Sequence, residues 1–222
     1  MYLYESWFNH LHINISLMKI AVLYSGQIRT WNQCKANQEL NLFTPKTDLF
    51  FYTYTEPNPI SNESICHTQI GNYKQFVKIP GDYFGRDIDQ HYPNRNPVST
   101  PLGVIQPWLN SFIGFCIVPQ DYDIYVRSRC DIELSGKINF EDYEINDSEI
   151  YIPSGNDYWG GVNDQFAFGN YHVMKTYFSI FIEFEKIYRD GVIFHPEGYV
   201  TENLKRHGIH INRLSITNTI VR

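Results

Sequence analysis

Two unbroken apolar runs, Lys19-Ile-Ala-Val-Leu-Tyr24 and Asp48-Leu-Phe-Phe-Tyr-Thr-Tyr54, stand a helix apart near the start of the chain. A strand with one face in water alternates apolar and polar residues. An unbroken run reads as a strand covered on both faces. Residues 30–42 read as the helix between them, so the three segments predict a right-handed parallel crossover. Ligands on such sheets bind beyond the carboxyl ends of the strands. That rim receives Ser25, Gly26, Gln27 and Arg29 after the first strand, and Thr55 and Glu56 after the second.

The rest of the chain fits the same scheme. Residues 56–103 are rich in Pro, Asn, Gly and Asp, with Phe76-Val-Lys-Ile79 as a short strand among turn signals, and read as an irregular region covering the site. Pro107 suits the first turn of a helix running to about residue 118. The stretch Asp123 to Glu133 opens as a buried central strand, and Glu149–Ile152 is another. Val162–Gly169 leads from an aromatic, Gly-containing loop into a strand. Residues 170–189 read as one helix, with Val173, Tyr177, Ile180, Phe184 and Ile187 as its apolar stripe. A last helix starts at Pro196 and Glu197, and Ile209–Ile216 alternates as a final strand. The prediction is an α/β fold: one Rossmann-like domain over residues 18–222, with a mostly parallel central sheet flanked by helices. Residues 1–17 lack a clear period and read as a dispensable extension.

Charge and cysteine usage exclude several classes. The net charge is −6 and no basic tract is present, which argues against nucleic acid as a partner. No apolar run reaches transmembrane length. Cys34, Cys66, Cys116 and Cys130 form no C-x-x-C pair, so a zinc site is disfavoured and a reducing compartment such as the cytoplasm is expected.

The chemistry is sought first at the end of the central strand. With a side-chain period of two, Asp131 and Glu133 would point the same way, as would Arg127 and Arg129 before them. Two carboxylates on one face can hold Mn²⁺ or Mg²⁺, and arginines beside a metal suit a diphosphate. The same stretch reads equally as a surface strand with mixed salt bridges. One arginine could instead pair with an acid beneath the sheet. Asp164, in Gly160-Gly-Val-Asn-Asp-Gln-Phe166, fits a general base on an acceptor hydroxyl, or else an Asx turn or helix cap. Trp159 and Tyr158 fit a sugar-stacking wall or plain packing. Arg29 fits a base or phosphate contact, or a solvated loop charge. Glu197 and Glu202 read as first-turn helix acids, and His195 and His207 carry less signal still. The dinucleotide, P-loop and nucleophile-elbow fingerprints are absent.

Four blocks recur in a known order: Ser25-Gly-Gln-Ile-Arg29, Asp48-Leu-Phe-Phe-Tyr-Thr53, Tyr122-Asp-Ile-Tyr-Val-Arg-Ser-Arg-Cys-Asp131 and Asn163-Asp-Gln-Phe-Ala-Phe-Gly169. Together they resemble small GT-A-fold glycosyltransferases of viral and bacterial surface-glycan pathways, including the WavE-like group, over roughly residues 18–216. In such enzymes an Asp-x-Asp element binds the metal and the diphosphate of a nucleotide sugar. The resemblance carries that role to Asp131, with Glu133 where the second Asp would stand, and the acceptor-activating carboxylate to Asp164. It implies a nucleotide-diphosphate-sugar donor, a glycan or other hydroxyl acceptor, a divalent metal and an inverting transfer. If the source is viral, the host cytoplasm is the expected setting. Two other classes fit the residues: a nucleotide-sugar or glycan-binding module without catalysis, and a metal-dependent phosphoester hydrolase.

Overall fold

The computed structural model describes residues 18–26, 28, 30–54, 72–79, 92, 93, 95 and 100–222. The expected strands β1 (Ile20–Gly26) and β2 (Thr47–Tyr54) are present and parallel, joined by helix α1 (Trp31–Leu42). Strand β3 (Asn72–Ile79) adds to the outer side of β2, again parallel, and contains the short strand expected at residues 76–79. Most of the irregular region, and the extension at residues 1–17, lie outside the described residues.

Helix α2 (Pro101–Cys116) crosses from this half of the sheet to the central strand β4 (Ile124–Ser128). It begins six residues before Pro107. Pro101 is the first-turn proline, and the Thr100 side chain caps the helix by accepting from Gly103 N at 3.1 Å. Pro107 lies inside the helix, where it can donate no backbone bond. Gly114 lets this helix approach the sheet closely, since a Cβ there would lie 2.9 Å from the Tyr52 Cβ.

After β4 the chain turns through Arg129–Asp131 into a short strand, β5 (Ile132–Leu134). Then follow β6 (Glu149–Pro153), β7 (Phe166–Gly169), α3 (Tyr171–Phe178), α4 (Ile180–Arg189), α5 (Pro196–Arg206), β8 (His210–Leu214) and β9 (Asn218–Ile220). The main sheet runs β3-β2-β1-β4-β7-β6-β8, and β7 alone is antiparallel to its neighbours. β5 and β9 form a separate antiparallel pair. The architecture is α/β and Rossmann-like, with a mostly parallel sheet.

Both sheet faces are covered, which is why β1 and β2 read as continuous apolar runs. Ala21, Leu23, Phe50, Tyr52 and Tyr125 pack against α2 and the helices after β7. Ile20, Val22, Tyr24, Phe51 and Val126 pack under α1 and the β5–β9 pair. The helix expected over 170–189 breaks at Ser179, which ends α3, starts α4 and returns its Oγ to Thr176 O at 2.9 Å. Its stripe survives the break: Val173, Tyr177, Ile180, Phe184 and Ile187 are all buried.

Candidate functional site

A cleft of about 680 Å³ opens at the carboxyl end of β4. Because β7 is antiparallel, the segment that enters it, Asp164–Gln165, comes to the same rim. The remaining walls are the first half of α2, the loop after β6, the first turn of α5 and the segment from Asn218 to Arg222.

Arg127 forms the floor. It alternates with Tyr125 on the α2-facing side of β4 and is 4 % exposed. Its guanidinium carbon lies 4.1 Å from the centre of the Trp108 ring and 5.7 Å from that of Tyr177. Nη1 donates to the Tyr177 hydroxyl at 3.0 Å, and that hydroxyl donates to Asp164 O at 3.1 Å. Burial pushes the Tyr177 phenol up to about 12, against the opposing pull of Arg127, so it stays a neutral bridge at ordinary pH. The Arg127 Nε is buried without a hydrogen-bond partner among the described residues. A buried, stacked and only partly satisfied guanidinium is poised for an anion.

Arg129, on the same side and just past the strand end, also lines the cleft. It grips Asp131 in a fork, Nε to Oδ1 and Nη2 to Oδ2, both at 2.7 Å. Burial is the largest single influence and works against its charge, but the hydrogen bonds and charge of Asp131, with the charge of Asp164, together raise its pKa. Gln38 of α1, wholly buried, sets this turn. Its Nε2 donates to the carbonyls of Arg129 and Ile132, and its Oε1 accepts from Tyr24 and Ser128.

Asp131 and Glu133 do not stand at the end of the central strand. That strand ends at Ser128, Asp131 lies in the turn, and Glu133 belongs to β5. Cys130, Ile132 and Leu134 are all buried. Burying Ile132 and Leu134 turns Glu133 out to solvent. Asp131 is 2 % exposed, and neither carboxylate lines the cleft. They lie near α1 instead: burial, then the charges of Glu133 and Asp131, push the Cys34 thiol up to about 11. With both Asp131 oxygens engaged by Arg129, these residues do not fit a metal ion in the cleft. No other cluster of three His, Cys, Asp or Glu suited to a metal occurs among the described residues.

Asp164 does line the cleft. The Asx turn considered for it falls on its neighbour, since Asn163 Oδ1 accepts from Gln165 N at 2.9 Å. Amide bonds then tie this corner together: Asn163 Nδ2 to Asn218 Oδ1 and Asn218 Nδ2 to Gln165 Oε1, each at 2.6 Å. Trp159 and Tyr158 stand at the mouth, 57 % and 51 % exposed, so neither is core packing. Asn156 and Trp159 take positive φ of 55° and 54°. Such backbone is unfavourable for side-chain-bearing residues and is concentrated at binding sites.

Glu197 and His195 join the site, although the sequence favoured a first-turn helix role for Glu197 and gave little signal at His195. Both are buried on the cleft wall, with His195 Nδ1 2.6 Å from Glu197 Oε2. Gly161 holds them there: a Cβ on it would lie 2.1 Å from the Glu197 carbonyl carbon. Burial, then the Asp164 charge, push the Glu197 carboxyl up to about 8. Burial lowers the His195 pKa, with Asp164 opposing. Arg222 was also not anticipated as a cleft residue.

Of the β1 residues, Ser25 is buried with its Oγ 2.6 Å from Ser111 Oγ, and neither Ser25 nor Gly26 lines the cleft. Gln27 and Arg29 lie outside the described residues. No helix among the described residues is long and apolar enough to cross a membrane. Compared with known proteins, the chain matches no protein-family model and no curated sequence.

Proposed function

We propose that the protein is a glycosyltransferase that moves a sugar from a nucleotide-diphosphate donor to a hydroxyl acceptor, a glycan being the natural one. The observation that carries this reading is one cleft lined by two arginines and a carboxylate, with exposed aromatics at its mouth. Each part matches one part of the reaction. Arg127 and Arg129 would hold the diphosphate and offset the charge that grows on it as the sugar leaves. Trp159 and Tyr158 offer ring faces to sugar.

Asp164 acts as general base. It takes the proton from the acceptor hydroxyl as that oxygen attacks the anomeric carbon. The carbon–oxygen bond to the diphosphate breaks, and the nucleoside diphosphate departs with the bonding electrons. A single displacement of this kind inverts the anomeric centre. No step needs Asp131 or Glu133 to reach the donor. Asp131 instead orients Arg129 through its fork.

The test is transfer and donor hydrolysis measured over a panel of UDP-, GDP- and dTDP-sugars with simple glycoside acceptors, comparing wild type with Asp164→Asn. The expected result is turnover by wild type and a loss of roughly 10²–10⁴-fold in the variant, with donor affinity retained. Equal turnover by both proteins would overturn the role of Asp164. Tight donor binding with no turnover on any acceptor would instead favour a binding module.

A further inference from the structure

Three buried amide side chains, Asn163, Asn218 and Gln165, are bonded in a row, and the last two reach the lining of the cleft. An amide has a donor end and an acceptor end of nearly equal shape, so only its partners fix its direction. Here the backbone fixes it twice. Gln165 N can only donate, and it donates to Asn163 Oδ1 at 2.9 Å. Gly155 O can only accept, and it accepts from Asn163 Nδ2 at 3.2 Å. The same Nδ2 donates to Asn218 Oδ1, so Asn218 turns its own Nδ2 to Gln165 Oε1. Turning over any one of the three would set donor against donor or acceptor against acceptor. The row is also held in place from outside. Asn156 Nδ2 donates to Asn218 O at 2.7 Å, and Asp157 Oδ1 accepts from Asn163 N at 2.9 Å while Arg213 Nη2 grips both Asp157 oxygens at 2.8 Å.

With Oε1 engaged by Asn218, the end of Gln165 left for the cleft is Nε2, which donates and cannot accept. We propose that Gln165 is a specificity-determining residue of the cleft, whose Nε2 donates a hydrogen bond to an oxygen of the acceptor sugar next to the hydroxyl that Asp164 receives. Asp164 and Gln165 are consecutive and both line the cleft, so a carboxylate and a fixed donor are presented together. Two neighbouring hydroxyls of a sugar ring match that pair. One donates to Asp164, and the next accepts from Gln165. Gln165 makes and breaks no covalent bond. The identity of the ligand rests on the glycosyl-transfer reading above, whereas the direction of the amide does not.

The direction is tested without a ligand, by side-chain amide NMR of the full chain labelled with ¹⁵N. The Asn163 Nδ2 group donates twice within the protein and should be protected from exchange with water. The Gln165 Nε2 group, open to the cleft, should exchange at least roughly tenfold faster. Equal protection of the two would overturn the proposal.

Transfer kinetics test the hydrogen bond to the ligand. Gln165→Glu keeps the shape and leaves an oxygen to accept from Asn218, but sets an acceptor where Nε2 stood. With a glycoside acceptor that wild type uses, the variant should raise the acceptor KM roughly tenfold and leave the donor KM within about threefold. Deoxy analogues of that glycoside, each lacking one neighbour of the reacting hydroxyl, locate the partner. One of them should cost wild type roughly tenfold and cost Gln165→Glu nothing further. Additive losses for every analogue, or wild-type kinetics in Gln165→Glu, would overturn the assignment. Asn218→Asp reaches the same end from behind, because it offers Gln165 only acceptors and so turns Nε2 away from the cleft. It should reproduce the kinetics of Gln165→Glu and carries the test if that variant fails to fold. If wild type transfers to no glycoside, the transfer reading and the ligand assignment fall together, while the amide NMR still decides the direction.

Discussion

The Arg127 guanidinium lies against the Trp108 and Tyr177 rings, with one nitrogen still unmatched. Lysine there would retain the charge but lose the flat stacking surface and the fixed fork of donors. Arg127→Lys should therefore weaken nucleotide-diphosphate binding by roughly 10–100-fold, equivalent to one or two lost charge-assisted bonds. Calorimetric titration of UDP and GDP would show it, and affinity within twofold of wild type would contradict the assignment. Several residues of the cleft were legible in the sequence. Arg127, Arg129, Asp164 and Trp159 announce themselves by charge or aromatic character close to strand ends. Glu197 does not, because a first-turn acid after proline is common. Its burial appears only in the structure, where the first turn of α5 packs on Gly161.

At the scale of elements, two joints position the chemistry. The first is Gly161 against the first turn of α5, where a single Cβ would meet backbone at 2.1 Å. Gly161→Ala should push α5 and Glu197 away from Asp164. The expected cost is roughly 2 kcal/mol or more. A variant with wild-type Tm would show the joint to be slack. The second joint is Gln38, which holds the turn carrying Arg129 and Asp131. Gln38→Leu leaves the Tyr24 and Ser128 hydroxyls and two carbonyls without this partner. It should cost roughly 3 kcal/mol and lower Tm by roughly 10 °C. An unchanged melting curve would refute that role. This turn is where the strand pattern misled. Asp131 and Glu133 read as the tip of the central strand, but that strand ends at Ser128, in a turn held by Gln38, some ninety residues away. Alternation within one segment carries no information about such a partner.

Over the whole molecule, an acidic protein of net charge −6 places Arg127, Arg129 and Arg222 around one cleft. That local field would favour the anionic donor proposed, with an effect that weakens with salt. It also bears on the metal. Because Arg129 occupies both oxygens of Asp131, nucleotide-sugar affinity should change less than twofold between saturating Mn²⁺ and EDTA. A rise of tenfold or more with Mn²⁺ would mean that the fork opens and Asp131 turns to the cation. The sheet itself was legible from apolar runs alone, since a strand buried on both faces leaves a continuous signature in sequence. The β5–β9 pair was not, because each strand is three residues long and its partner is distant in the sequence.

The proposed donor occupies this cleft with its phosphates on the floor. Diffraction from crystals soaked with UDP-, GDP- and dTDP-sugars tests that most directly. The expected density places a phosphate within hydrogen-bond reach of Arg127 or Arg129 and the sugar between Asp164 and the Trp159 ring. Density for the donor elsewhere, for instance against β3 at the far edge of the sheet, would contradict it.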